Sequence, residues 1–306
     1  AGFLILPAMF CMGELSTAMP KAGGTYYFLD RALGPLFGTI GGLGSWVAVI
    51  FKSAFALIGM GAYLSLYIDV PIMALAVILT VVFGLINIFG AKETTLLQRV
   101  LVTTLVVILA AFTILGVAET GITESLQPNS GDEAFFSKCL VGFISTIGLV
   151  FVSYAGLTKV ASVAEEIQNP DRNIPLGMVL SLITATLVYT VGTMVIINLL
   201  PPAELHNSLT PVADAGEKFL GWVPYDMGIV LIVVAAIAAF ASTGNAGILS
   251  ASRYPFAMAK DKLVPQSFAK LGNFGTPAFS IMITVGVMIA VILLFDVEAV
   301  AKLASA

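Results

Sequence analysis

The sequence predicts an all-α polytopic membrane protein, on three observations. Of 306 residues, 58% are hydrophobic and only 10% charged, whereas soluble domains carry about 25% charged residues. The mean hydropathy is +1.02. The apolar residues also fall into runs of the length, roughly 20 residues, that a helix needs to cross about 30 Å of hydrocarbon. No soluble domain remains once those runs are removed, and with most of the surface facing lipid the net charge of −4 carries little information. No basic stretch suggests a nucleic-acid partner.

Apolar runs bounded by polar, Gly or Pro punctuation place helices at 1–18, 36–68, 71–90, 96–118, 139–166, 174–200, 226–252 and 278–295, with a ninth starting near 298. The first run is apolar from Gly2 onward, without a charged leader. The last starts within ten residues of Ala306. The chain therefore reads as one transmembrane domain, 1–306, cut at both ends. In the second run Gly38 and Gly42, four apart, suit close helix packing. Lys52 stands at that run's midpoint, too deep for its ammonium to snorkel easily to a headgroup. Cys11 and Cys139 show no metal or redox spacing, and His206 is the only histidine, so no metal or cofactor is expected.

Loop charges orient the layout. The connections after the first, third, fifth and seventh helices hold ten basic residues (Lys21, Arg31, Lys92, Arg99, Lys159, Arg172, Arg253, Lys260, Lys262 and Lys270), while the other side holds three, Lys138, Lys218 and Lys302. The positive-inside rule makes the ten cytoplasmic, so the first visible helix enters from outside and one helix is missing before it.

The fifth run turns small and polar halfway, at Ser153-Tyr154-Ala155-Gly156. Irregular backbone at membrane depth is tolerated only where it is buried or lines a wet cavity. A break here would expose carbonyls ending one half-helix and amides starting the next, as at the midplane sites of secondary transporters. The other reading is close helix packing at Ala155 and Gly156. The charged tail Ala164-Glu165-Glu166-Ile167-Gln168-Asn169-Pro170-Asp171-Arg172 favours the break.

Three motifs carry a resemblance. FVSYAGLTKVASVAEEIQNPDRNIP resembles the broken sixth helix of amino acid permeases in the amino acid-polyamine-organocation superfamily. GELSTAMPKAGGTYYFLDRALG is similar to the end of that family's second helix and the loop after it, and SASRYPFAMAKDKLVP to the cytoplasmic end of its eighth. The resemblance implies an inverted-repeat fold of five plus five helices with broken helices facing across the substrate, here incomplete, with family helices two to nine and the start of ten.

It further implies a secondary active transporter in the cell membrane working by alternating access. Carbonyls of Phe151, Val152, Ser153 and Ala155, beside Gly156, would accept a substrate ammonium, while Tyr154, Phe151 and Leu157 shape a pocket or gate, or simply pack. With no acidic residue in the seam, a neutral amino acid is expected. From the eighth helix, Ser242, Thr243, Asn245 and Gly247 are cavity candidates, Asn245 equally suiting an interhelical hydrogen bond. Proton-linked relatives carry a lysine in the fifth helix; the run 96–112 has Arg99, Thr103 and Thr104 instead. Lys52 is then the candidate coupling group for proton symport or exchange, or a fixed lysine capping carbonyls. Glu14, Glu165, Glu166 and Arg172 suit an inner gate, a loop anchor or a solvated face. The competing class is a non-transporting amino-acid sensor or assembly subunit; oligomeric state is not legible.

Overall fold

The computed structural model describes residues 2–65, 67–121, 139–154, 156–208, 210–220, 227–295 and 299–300. The described residues form twelve α-helices: α1 (Leu6–Ala18), α2 (Thr25–Leu33), α3 (Pro35–Leu64), α4 (Ile72–Phe89), α5 (Ala91–Thr120), α6 (Cys139–Phe151), α7 (Leu157–Ser162), α8 (Pro170–Leu199), α9 (Pro202–Asn207), α10 (Pro211–Leu220), α11 (Met227–Lys260) and α12 (Ala278–Leu294). No strand occurs among the described residues. Among the described residues, five helical segments are long and apolar enough to span a bilayer: Pro35–Leu64, Ile72–Phe89, Leu96–Glu119, Pro170–Leu199 and Gly228–Lys260. The ninth run, near 298, lies almost wholly outside the described residues.

Several boundaries differ from those the apolar runs predict, each for a local reason. The helix expected at 1–18 begins at Leu6, with Pro7 in its first turn, where a missing amide costs nothing. The one expected at 174–200 begins at Pro170, because Asn169 takes a left-handed φ of 48° and Pro170 is pre-set for a first helical position. α5 extends back through good helix formers to Ala91, and α11 runs on through Pro255 to Lys260, where Tyr254, Phe256 and Met258 are buried. The helix expected at 139–166 is not continuous. The link after 200 contains two short helices, α9 and α10.

The main core joins α3, α4, α11 and α12 around Ile50, Leu57, Ile248, Met258, Ile281 and Met288. Glycines let the backbones approach, as the sequence predicts for Gly42, whose missing Cβ would lie 3.0 Å from Met258 Sδ. Farther along the same pair, a Cβ on Gly244 would lie 2.6 Å from a Leu57 methyl. These two contacts run α3 and α11 antiparallel and put Lys52 level with Ile248. A second cluster packs α5, α8, α10 and α11 around Phe112, Val195, Ala215 and Ile232. A third packs Met9 of α1 against Ile174 and Met178 of α8 and against Ala164, which brings α1 and α8 to either side of the seam.

Candidate functional site

At the seam the α-helical ladder ends at Phe151, and Val152–Tyr154 form a 3-10 turn. A new helix starts only at Leu157 and runs two turns to Ser162. A tighter second turn at Ala164–Glu166 follows, and the left-handed Asn169 then reverses the chain into α8. Switching from four-residue to three-residue hydrogen bonding narrows the coil, and helix ends are where carbonyls and amides lack intrahelical partners.

Gly156, which could accept unusual torsions, does not use that freedom. Its φ of −63° and ψ of −18° are ordinary right-handed helix, since the 3-10 turn before it makes the interruption. A Cβ there would meet nothing within 4 Å. The open space is a cavity of about 380 Å³ between the seam, α1 and α8. Ser153, Tyr154 and Gly156 form one wall; Asn173 and Ser181 bring polar groups from α8, beside Ile174, Met178 and Leu182. No charged side chain lines it among the described residues. The Tyr154 ring is fixed edge-on to Tyr189, with centroids 5.6 Å apart. Phe151 is exposed. Ala155 and the side chains of Val152 and Leu157 lie outside the described residues.

Asn245 sits elsewhere. It is fully buried, and its carbonyl accepts a hydrogen bond of 2.8 Å from the Asn87 amide, which also donates to the Phe83 carbonyl at 2.8 Å. Three residues before it on α11, Ser242 bonds the Gln98 amide of α5. These four side chains tie α4, α5 and α11 together in an apolar interior, apart from the cavity. Nothing in the apolar runs singled out Asn87 or Gln98. Lys52 is half-buried on α3, and no ion pair involves it among the described residues.

The face bearing most of the lysines is closed by close contacts. Gly23 and Gly24 take φ of 106° and 49°, conformations that favour glycine. A Cβ on Gly23 would lie 2.7 Å from the Ala257 methyl, and one on Gly24 would lie 3.1 Å from the Ser162 backbone nitrogen. The 20–24 loop thus presses on both α11 and α7. Beside it the Ala22 N–H donates to the Glu165 carboxylate at 3.1 Å, a loop anchor of the kind expected of the acidic tail. Glu14 and Arg172 are exposed, and the Glu166 side chain lies outside the described residues. The buried Tyr26 hydroxyl donates to Asp261 at 2.6 Å; burial, then that bond, raises its phenol well above the ordinary range. Arg31 approaches Asp261 and Asp30, each at 3.9 Å.

A broken helix facing an uncharged cavity, with a sealed loop at one membrane face, agrees with what comparison shows. A family model described as amino acid permease matches residues 1–306. The chain belongs to the amino acid permease family. Among curated relatives, the permease is 28% identical to "Cationic amino acid transporter 3, mitochondrial" of Arabidopsis thaliana over all of this chain and 52% of that protein. It is 25% identical to "Uncharacterized amino acid permease YtnA" of Bacillus subtilis, over 96% of this chain and 64% of that one. It is also 26% identical to the "Methylthioribose transporter" of the same organism, over 90% of this chain and 62% of that one. The permease chain thus spans about half to two-thirds of the length of these relatives. It is a multi-pass membrane protein.

Proposed function

We propose that the permease is a secondary active transporter that carries a neutral amino acid across the cell membrane by alternating access. The observation that carries this reading is the interruption of the helix at Val152–Tyr154 beside a cavity without charged walls. Carbonyls of Phe151, Val152, Ser153 and Ala155 would accept the substrate ammonium, since the end of a half-helix carries partial negative charge. Such discontinuous helices hold substrates near the midplane in many transporters. Ile174, Met178 and Leu182 suit an apolar side chain, while Ser153, Ser181 and Asn173 offer hydrogen bonds. A cationic side chain would need a carboxylate that the described lining does not supply, although one of the relatives above is named for cationic amino acids.

Proton coupling in this reading rests on Lys52. A charge at the bilayer centre costs about 2.5–3.5 kcal/mol on insertion scales, and no carboxylate pairs with Lys52 among the described residues. Uptake by the full-length protein in proteoliposomes, with labelled L-alanine, L-leucine, L-phenylalanine and L-arginine under an imposed pH gradient, tests the reading. Saturable uptake of a neutral amino acid, driven by the gradient, supports it. Binding without flux would instead make the protein a sensor or assembly subunit, and uptake confined to L-arginine would overturn the substrate class.

A further inference from the structure

On the basic face lies a second cavity, of about 220 Å³, that the seam does not account for. Its walls carry two ammonium groups, Lys21 and Lys260, and two carboxylates, Glu165 and Asp261, with Tyr27 alongside. No ion pair joins either lysine to either acid among the described residues. Three of the four are instead held from another direction, and Asp261 also faces Arg31 at 3.9 Å. Glu165 accepts the Ala22 amide, Asp261 accepts the Tyr26 hydroxyl, and the Lys260 nitrogen sits 4.3 Å over the Phe256 ring. Opposite charges fixed apart around one small cavity complement a molecule that carries both charges itself.

Position adds a second argument. Glu165 stands nine residues beyond Gly156, in the 3-10 turn that follows α7. The Gly24–Ser162 contact lies between the two, so the cavity sits just outside the closed loop. We propose that this cavity is a vestibular binding site for a zwitterionic amino acid, occupied on the way between the seam and the basic face. Lys21 and Lys260 would take the carboxylate, and Glu165 and Asp261 the ammonium. The inference rests on the transport reading above and deepens it.

The test uses the full-length protein in proteoliposomes of defined sidedness, with labelled L-alanine, L-leucine and L-phenylalanine. Lys260→Gln removes one ammonium. Glu165→Gln removes one carboxylate yet keeps an oxygen to accept the Ala22 amide. Each variant is expected to raise the half-saturating concentration for transport from the basic face about tenfold and leave it unchanged from the opposite face. From the basic face, unlabelled L-leucine should compete, whereas N-acetyl-leucine and isoamylamine, which each lack one charge, should not. Variants equal to wild type from both faces, or shifted equally from both, overturn the vestibular site and leave the transport reading standing. A wild type that transports none of the three amino acids overturns both.

Discussion

Gly24→Ala is the sharpest perturbation the structure offers. Gly24 combines a φ of 49° with a ψ of −125°, a region that costs a non-glycine residue about 1–3 kcal/mol. The new methyl would also lie 3.1 Å from Ser162 N, 3.2 Å from Ser162 Cα and 3.3 Å from Ala161 C. All three are backbone atoms of α7, which cannot rotate aside as a side chain can. The clash with α7 is relieved when the loop and α7 separate. The substitution therefore favours opening on the basic face by about 1–3 kcal/mol, a shift of 5- to 150-fold in population. Ser162 is fully buried under the loop, and Ser162→Cys is a near-isosteric reporter once Cys11 and Cys139 are replaced by Ala. In full-length protein, a membrane-impermeant maleimide on the basic face should label this thiol at least fivefold faster with Ala at position 24. Labelling within twofold of the parent would refute the reasoning that the contact seals this face.

Other substitutions probe separate links of the account. Asn87→Leu strips the buried Asn245 of its partner, whereas Asn245→Leu leaves the Asn87 amide bonded to Phe83; denaturant unfolding should find the first more destabilising, with a coupling between the two of about 0.6–1.7 kcal/mol. Zero coupling would mean the amide pair does not tie α4 to α11. Gly61→Ala would set a methyl 2.8 Å from the Ile72 carbonyl oxygen and should cost about 1–3 kcal/mol as overpacking, seen as a lower melting temperature; an unchanged one would show that the α3–α4 turn yields freely. Lys52→Gln should abolish the response of uptake to an imposed pH gradient, and an unaltered pH profile would exclude Lys52 from coupling.

Much of the fold is legible because lipid imposes length and composition: the apolar runs locate α3, α4, α5, α8, α11 and α12 directly. Their ends are less legible: good helix formers carry α5 back to Ala91, and the buried Tyr254, Phe256 and Met258 carry α11 through Pro255 to Lys260. The seam is readable as small, polar residues at a depth that should be apolar. Its mechanism is not, for Gly156 looks like the special torsion and the 3-10 turn at Val152–Tyr154 makes the break instead. Asn245 stands out in its run, but Asn87, 158 residues away, has no periodicity to announce it. The Tyr26–Asp261 bond spans 235 residues, and only the folded chain brings such groups together. Gly23 and Gly24 belong to a recognisable motif, but their positive φ values and their closeness to Ala257 and Ser162 are visible only in the folded chain.

The claim on which the rest depends is that main-chain atoms released at the seam bind the substrate ammonium. An experimentally determined structure of the full-length protein with a transported neutral amino acid bound tests it most directly. The account predicts the ammonium within about 2.7–3.2 Å, normal hydrogen-bond range, of carbonyl oxygens between residues 151 and 155. A ligand seated away from that segment, or a helix unbroken from 139 to 166 around it, would contradict the account.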